Sequence, residues 1–400
     1  MNCRPGACIR DDVDFRDSPE DASYRAELRA WLDDAVAALP GPEPPTIEER
    51  LDYWRPFQRR LYAAGYAGLS WPRAYGGQQA SLMQQAIFLE EYDRAGAPDR
   101  INMLGEGLAG PTIIDFGTDR QRERFLRPIL QGEDVWCQLF SEPAAGSDLA
   151  ALEARAQREP GGWRIAGQKV WTSRAQIADY GMLLARTGGP RHGGITYFIL
   201  PMRQEGVNIR PLRHILGEAE FNEVFLDDAY VPDELVLGPV DGGWKIAMAT
   251  LSYERVALAT GRVNMQRLWG DLLAVVRACE RDGRPLGEDP YVRRTLADLY
   301  ARLRVYRLNG LRALSSMAAG APGPPASLGK LLSAPLLEDM ADFAVAQHGL
   351  AGLLDPADGD VPAGRWLRLA YQARGTSIAG GTTFIQRNIV AERVLGLPRG

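Results

Sequence analysis

Three groups of residues in this 400-residue chain have types and spacings that could do chemistry. The first is Glu254. Trp244, Ala247, Leu251 and Leu258 recur at helical spacing, and Glu254 falls at the edge of that apolar stripe. A carboxylate so placed is partly desolvated, which raises its pKa toward the range useful to a general base. A solvated glutamate beside Arg255 fits the same spacing, and neither Tyr253 nor Arg255 decides between the two. The second group is Gln138 to Asp148, QLFSEPAAGSD. Val135, Cys137 and Leu139 alternate as in a strand, and Pro143 then breaks the run into a small-residue loop ending in Gly146, Ser147 and Asp148. Such a loop lets backbone N–H groups and a hydroxyl approach a bound molecule closely. The third is Trp171-Thr172-Ser173, an indole and two hydroxyls at the end of the strand Gly167 to Trp171. A core tryptophan followed by a turn accounts for it equally well.

Two other motifs are matched without their context. Gly105-Glu106-Gly107-Leu108-Ala109-Gly110 fits G-x-G-x-x-G, but it lies in a helical region with no βαβ unit to place a phosphate. Ser327-Leu328-Gly329-Lys330 fits S-x-x-K without the companion motifs of that chemistry, and reads as a helix start.

Composition narrows the functional classes. With 46% hydrophobic and 24% charged residues the chain is an ordinary globular one, and its net charge of −5 argues against a general nucleic-acid surface. His192, His214 and His348 share no ligand spacing, and the four cysteines form no C-x-x-C pair, so neither a zinc site nor a disulfide framework is expected. Cations are nearly all arginine; the lysines are Lys169, Lys245 and Lys330. No apolar run approaches the roughly 20 residues of a membrane helix. The N-terminus lacks a signal-peptide core, and a cytoplasmic location is expected.

The elements that must position these groups come in three blocks. Ser18-Pro19-Glu20-Asp21 starts a helix whose buried stripe is Leu28, Trp31, Leu32, Ala35 and Leu39. Further helices are expected at 51–62, 82–93, from about Pro111, and from Asp119 to Leu130. From Val135 to Pro232 short strands alternate with Gly, Pro and Asp turns, as in a small antiparallel sandwich or barrel. Helical periodicity returns after Gly242-Gly243 and runs through Glu280, with later helices at 291–319, 326–350 and 384–395.

Together the segments WPRAYGG, QLFSEPAAGSDLA, GQKVWTSRAQIADY, FNEVFLDDAYVP, LSYERVAL and GTTFIQRNIVAERVLGLP resemble the acyl-CoA dehydrogenase flavoproteins, in that family's order and over almost the whole chain. The resemblance is to actinobacterial-type members. It implies an α+β fold: an N-terminal helical domain (18–134), a central antiparallel β-sandwich or barrel domain (135–240) and a C-terminal four-helix bundle (241–400). It also implies FAD, with Gln138, Leu139, Phe140 and Ser141 along the flavin edge and Trp171, Thr172 and Ser173 over one face. Thr382 and Phe384 would approach from the C-terminal side, and Ser147 would lie near phosphates or substrate. Gly381, Tyr253 and Arg255 would meet the acyl-CoA.

In many members the base precedes the Gly-Thr of the C-terminal motif, where this chain has Gly380. Members similar to isovaleryl- and long-chain acyl-CoA dehydrogenases carry it on the helix that opens the bundle, where Glu254 stands. The family's R-x-x-F-G is replaced by Cys279-Glu280-Arg281-Asp282-Gly283, so that either Arg281 or Arg284 grips the diphosphate or it is held in a different way. The expected reaction is α,β-dehydrogenation of an acyl-CoA, with an electron-transfer flavoprotein as acceptor, in a homotetramer or heterotetramer. The same scaffold also serves oxidases, monooxygenases, dehydrogenases of carrier-protein acyl groups, and heterotetramer subunits with incomplete FAD binding.

Overall fold

The computed structural model describes residues 17–259, 265–318, 325–354 and 362–398, without the side chains of 254–259, 314–318, 325–326 and 362–363. The side chains of Glu254 and Arg255 thus lie outside the described residues, and only their backbone is located.

Helices α1 (Pro19–Ala37), α2 (Ile47–Ala63), α3 (Leu82–Arg94), α4 (Gly110–Phe116) and α5 (Asp119–Gln131) precede the sheet. Their starts are fixed locally. Ser18 accepts from the Asp21 amide, and Thr46, Ser81 and Thr118 form reciprocal capping boxes with Glu49, Gln84 and Gln121. Each box satisfies two amides that a helix end would otherwise leave unpaired. α1, α2 and α3 then close on Leu28, Leu32, Phe57, Leu61, Ile87 and Phe88.

The G-x-G-x-x-G stretch is a single π-helical turn, Gly105–Ala109, running straight into α4. A Cβ on Gly110 would collide with the Trp71 indole, and one on Gly105 with the Asn102 amide. The Trp71 Nε1 donates to the Glu106 carbonyl at 2.9 Å. These glycines serve helix packing, and no phosphate loop is built.

The middle of the chain forms β1 (Trp136–Leu139), β2 (Arg155–Glu159), β3 (Gly162–Ser173), β4 (Tyr180–Arg186), β5 (Ile195–Pro201), β6 (Val207–Leu212), β7 (Phe221–Pro232) and β8 (Val236–Leu237). The order is β6-β7-β3-β2-β4-β5-β8, with β1 also on β4; pairs are antiparallel except β1–β4 and β2–β4. Residues Leu183, Ala185, Phe198 and Leu200 of β4 and β5 share a core with Ile165, Val224 and Val231 of β3 and β7, so the sheet folds over onto itself. Its other face, including Trp136, Met182, Leu184 and Tyr197, packs on Ile113, Phe125 and Ile246 of the helices. Burial on both faces explains why β4 and β5 read as continuous apolar runs.

One detail of this sheet shapes the site. β1 pairs with Tyr180 to Leu183 of β4, whereas β2 touches β4 only at Arg186. The two strands therefore share one edge of β4, and residues 140–154 leave the sheet between them.

The C-terminal region comprises α6 (Gly243–Ala259), α7 (Met265–Ala278), the hairpin β9 (Glu280–Arg281) and β10 (Arg284–Pro285), α8 (Pro290–Ala318), α9 (Pro325–Gln347), α10 (Pro362–Thr376) and α11 (Thr383–Ile389). Leu272, Val276, Leu299, Leu336, Met340, Trp366 and Ala373 form its core. Helix α10 is not among the helices the sequence leads one to expect. Its buried stripe, Trp366, Ala370 and Ala373, consists largely of small residues in an arginine-rich stretch, which gives weak periodic contrast.

Candidate active site

The loop that follows β1 is held from within. Lys169 is fully buried and its Nζ lies 2.7 Å from Oε1 of Glu142, itself nearly buried. The same ammonium donates to the Phe140 carbonyl at 3.2 Å. Glu142 in turn accepts from the backbone amides of Glu153 (2.6 Å) and Ala154 (3.0 Å), at the point where the chain rejoins the sheet. Residues 142 and 145 exchange two backbone hydrogen bonds, closing a tight turn at Pro143. Gln138 and Ser141 are half-buried and Ser147 is exposed, whereas the Leu139 and Phe140 side chains belong to the core. Only the backbone of those last two is available to a ligand.

The end of β3 faces the same loop. The register of β3 against β7 slips between Lys169 and Thr172, and the Val170 amide donates instead to the Ser141 carbonyl at 2.9 Å. Trp171 takes φ 60°, a conformation uncommon for a bulky residue, and its indole stands 62% exposed. Strained backbone beside an exposed aromatic is a usual mark of a ligand site. Ser173 is half-buried. Thr172 is fully buried, yet its hydroxyl has no protein partner. Thr172 therefore faces the interior of the sheet, between the exposed Trp171 and the half-buried Ser173.

Helix α6 is clamped at both ends of the segment that matters. Gly243 lies so close to β5 that a Cβ would sit 2.6 Å from the Thr196 carbonyl carbon. The Asp241 amide donates to Thr196 Oγ1 at 2.8 Å, and the Thr187 hydroxyl donates to the Asp241 carboxylate at 2.6 Å. Farther along, the Thr250 and Thr112 hydroxyls share a hydrogen bond of 2.9 Å, and the Tyr253 hydroxyl donates to Asp115. Partial burial and the Asp115 carboxylate push the Tyr253 phenol up from its usual pKa. Residues 250 and 253 thus fix α6 against α4, and Glu254 is the next residue in that helix.

The remaining expected residues lie elsewhere. Thr382 caps α11, its hydroxyl accepting from the Ile385 amide at 3.2 Å; Gly381 has φ 90°; Phe384 is 73% exposed. α11 packs on α9. Arg281 sits on the β9–β10 hairpin, bound by Asp289 (3.5 Å) and by the Gln347 side chain (3.1 Å). Sequence reasoning passed over Glu142 and Lys169. The signal that could have found them is a lysine, one of three, at a strand position in a chain whose cations are otherwise arginine.

This arrangement fits a flat aromatic cofactor: a small-residue loop, a protruding indole and the half-buried Ser173 lie together where the Val170 amide joins the Ser141 carbonyl. Among the described residues no group of His, Cys, Asp and Glu could hold a metal ion. Family descriptions match along the chain in order: acyl-CoA dehydrogenase N-terminal domain at residues 18–133, middle domain at 137–229 and C-terminal domain at 241–395. The chain belongs to the acyl-CoA dehydrogenase family, FAD-dependent oxidoreductases acting on CH–CH donors.

Its relatives are specific. It is 42% identical over 388 residues to acyl-CoA dehydrogenase IpdE1 of Mycobacterium tuberculosis, covering 94% of this chain and 97% of that protein. It is 38% identical to acyl-CoA dehydrogenase FadE34 of the same organism, covering 96% of this chain and 50% of that protein. Among solved structures, the Tcur3481–Tcur3483 steroid acyl-CoA dehydrogenase aligns with TM-score 0.84 at 31% identity, over 97% of this chain and 100% of that one. The ChsE4–ChsE5 complex of Mycobacterium tuberculosis aligns with TM-score 0.85 at 30% identity, over the same shares.

Proposed function

We propose that this acyl-CoA dehydrogenase acts on a bulky, ring-bearing acyl-CoA thioester, with Glu254 as the base. Position 254 carries the second half of the reading. It adjoins the Tyr253–Asp115 link and lies one turn beyond the Thr250–Thr112 link, on a helix anchored to β5. The other position a base could occupy is a glycine, Gly380. The ring-bearing substrate is supported by the likeness to the steroid acyl-CoA dehydrogenase.

The Glu254 carboxylate takes the α-proton, the electron pair of that C–H bond forms the α,β double bond, and the β-hydrogen leaves as hydride. FAD, when bound, supplies the hydride acceptor. Enolate charge building on the thioester oxygen needs aligned donors. Gln138, Ser141, Trp171, Thr172, Ser173, Thr382 and the backbone of Leu139 and Phe140 line the cofactor side in this reading, with Phe384 beside them. Ser147, Tyr253, Arg255 and Gly381 face the acyl-CoA, and Arg281 meets the diphosphate of a neighbouring subunit. The divisions 18–134, 135–240 and 241–400 are taken as the domains.

Assembly is supported by the apolar surface of the C-terminal region, where Ile378, Phe384 and Leu395 are each about two-thirds exposed or more. Exposed large apolar side chains so near in sequence suit a surface covered by another subunit. We assign a tetramer, with itself or with a related chain, an electron-transfer flavoprotein as acceptor, and a cytoplasmic role in lipid breakdown. No described helix is long and apolar enough to cross a membrane.

Glu254→Gln keeps its yellow flavin and loses turnover by about 1,000-fold, the scale of a lost general base. Assay with straight-chain, branched and steroid-side-chain CoA thioesters checks both parts: an active Gln variant removes Glu254 from the role, and preference for straight chains removes the ring-bearing substrate.

A further inference from the structure

We propose that the buried Glu142–Lys169 pair is the positioning device of the flavin site, fixing the loop after β1 and the indole after β3 as one rigid unit. The proposal rests on the reading that these two segments border the flavin. Its basis is the gap in the sheet between β1 and β2. There the amides of Glu153 and Ala154 are satisfied by a side chain, Glu142, and Glu142 is satisfied by Lys169. Phe140, Ser141 and Glu142 are thereby tied to Lys169 and Val170, through the ammonium for two of them and through the Val170 amide for the third. Ser141 stands at one end of this bolt, and Trp171 and Thr172 at the other. A shift in the bolt moves both walls together.

Stability alone does not account for such a pair. Removing two ions from water is so costly that apolar residues of equal volume commonly serve the fold as well or better. The choice of cation is equally pointed. A chain that uses arginine almost everywhere places lysine here, where a compact point charge must reach a carboxylate and a carbonyl in a closed space. The forked guanidinium is larger and planar. Lys169→Arg is therefore no conservative change.

The test uses the FAD-loaded protein and four variants: Lys169→Met, Lys169→Arg, Glu142→Gln, and the double variant Lys169→Met/Glu142→Gln. Flavin release on dilution, the visible absorption bands of bound flavin and thermal unfolding are measured for each. The expected result is release of FAD at least about tenfold faster, with shifted flavin bands, in all four. The double variant should recover much of the unfolding midpoint that the single variants lose, because it leaves no unpaired charge and the glutamine oxygen still accepts from the Glu153 and Ala154 amides, and it should still hold flavin poorly. Wild-type flavin retention and bands in the double variant overturn the proposal, since the pair would then act on stability alone. That outcome holds even if the single variants fail to fold. Should the wild-type chain bind no FAD, the functional reading fails instead, and Glu254→Gln with full flavin content separates a site defect from a catalytic one.

Discussion

Of the carboxylates buried among the described residues, Glu91 and Glu142 are treated in opposite ways. Glu91 joins α3 to α1 and is held by three arginines: Arg29 at 2.7 Å, Arg94 at 2.6 Å and Arg25 at 3.1 Å. All three arginine side chains are partly exposed. Burial alone would push the Glu91 carboxyl up, but the surrounding arginines outweigh it and hold it down at about 2. Glu142 has one cation, and that cation has no water. Burial pushes the Lys169 ammonium down to about 8 against the opposing pull of Glu142. The first cluster draws its cations from the surface at little desolvation cost and fastens helix to helix. The second places both ions in the interior and ties the loop after β1 to the end of β3. Buried charge next to a binding loop signals a demand for geometry more than for stability.

The largest test of that contrast is removal of each carboxylate. Glu142→Ala leaves Lys169 with no counter-ion in the interior and should cost about 3–5 kcal/mol in chemical unfolding. Glu91→Gln frees arginines that can return to water and should cost about 1–2 kcal/mol, with flavin retained. Equal losses, or flavin loss from Glu91→Gln, would erase the distinction.

Acid sharpens it next. The Glu91 carboxyl has a lower pKa folded than unfolded, so its contribution is complete above about pH 4.5 and is lost as pH falls toward 2. Unfolding midpoints measured down that range should fall less steeply in Glu91→Gln than in the wild type.

Base acts on the other pair, with a smaller effect. Lys169 also has a lower pKa folded than unfolded, so between about pH 8 and 10.5 the unfolded chain holds a proton that the folded one gives up. The penalty of burying this group therefore eases as pH rises, while its ion pair with Glu142 dissolves. Flavin release should accelerate above about pH 8 in the wild type and stay flat in Lys169→Met. A flat wild-type profile contradicts a role for the charged pair.

The smallest effect is reserved for Tyr253→Phe. It removes one partly exposed link between α6 and α4 while Thr250–Thr112 remains, so stability should drop by about 0.5–1 kcal/mol and turnover by a few-fold. A loss as large as that of Glu254→Gln would give Tyr253 a direct part in the chemistry.

Much of this molecule is written locally. Ser18, Thr46, Ser81 and Thr118 start their helices through bonds spanning three residues, and Ser18 is read as a cap from the sequence alone. The loop Gln138–Asp148, the Trp171–Ser173 segment and the helix of Glu254 are legible for the same reason: composition and period reveal a small-residue loop, a strand end and an amphipathic helix. The decoy at Gly105–Gly110 is also dismissed on context, although only packing shows that its glycines make room for Trp71 and Asn102.

What tertiary structure alone decided is how these pieces are fixed to one another. Glu142 and Lys169 are 27 residues apart, one in a turn and one in a strand, and no period links them. The gap between β1 and β2 that they fill exists only because two strands share one edge of β4. Likewise Thr112 and Thr250, 138 residues apart, become partners only when α6 crosses α4. Sequence by itself determined most of the elements, α10 excepted, together with the family and the residue types available for chemistry, because caps, periods and motifs act over a few residues. Folding decided which buried charges meet, because the cost of leaving an ion unpaired arises only where the assembled chain excludes water.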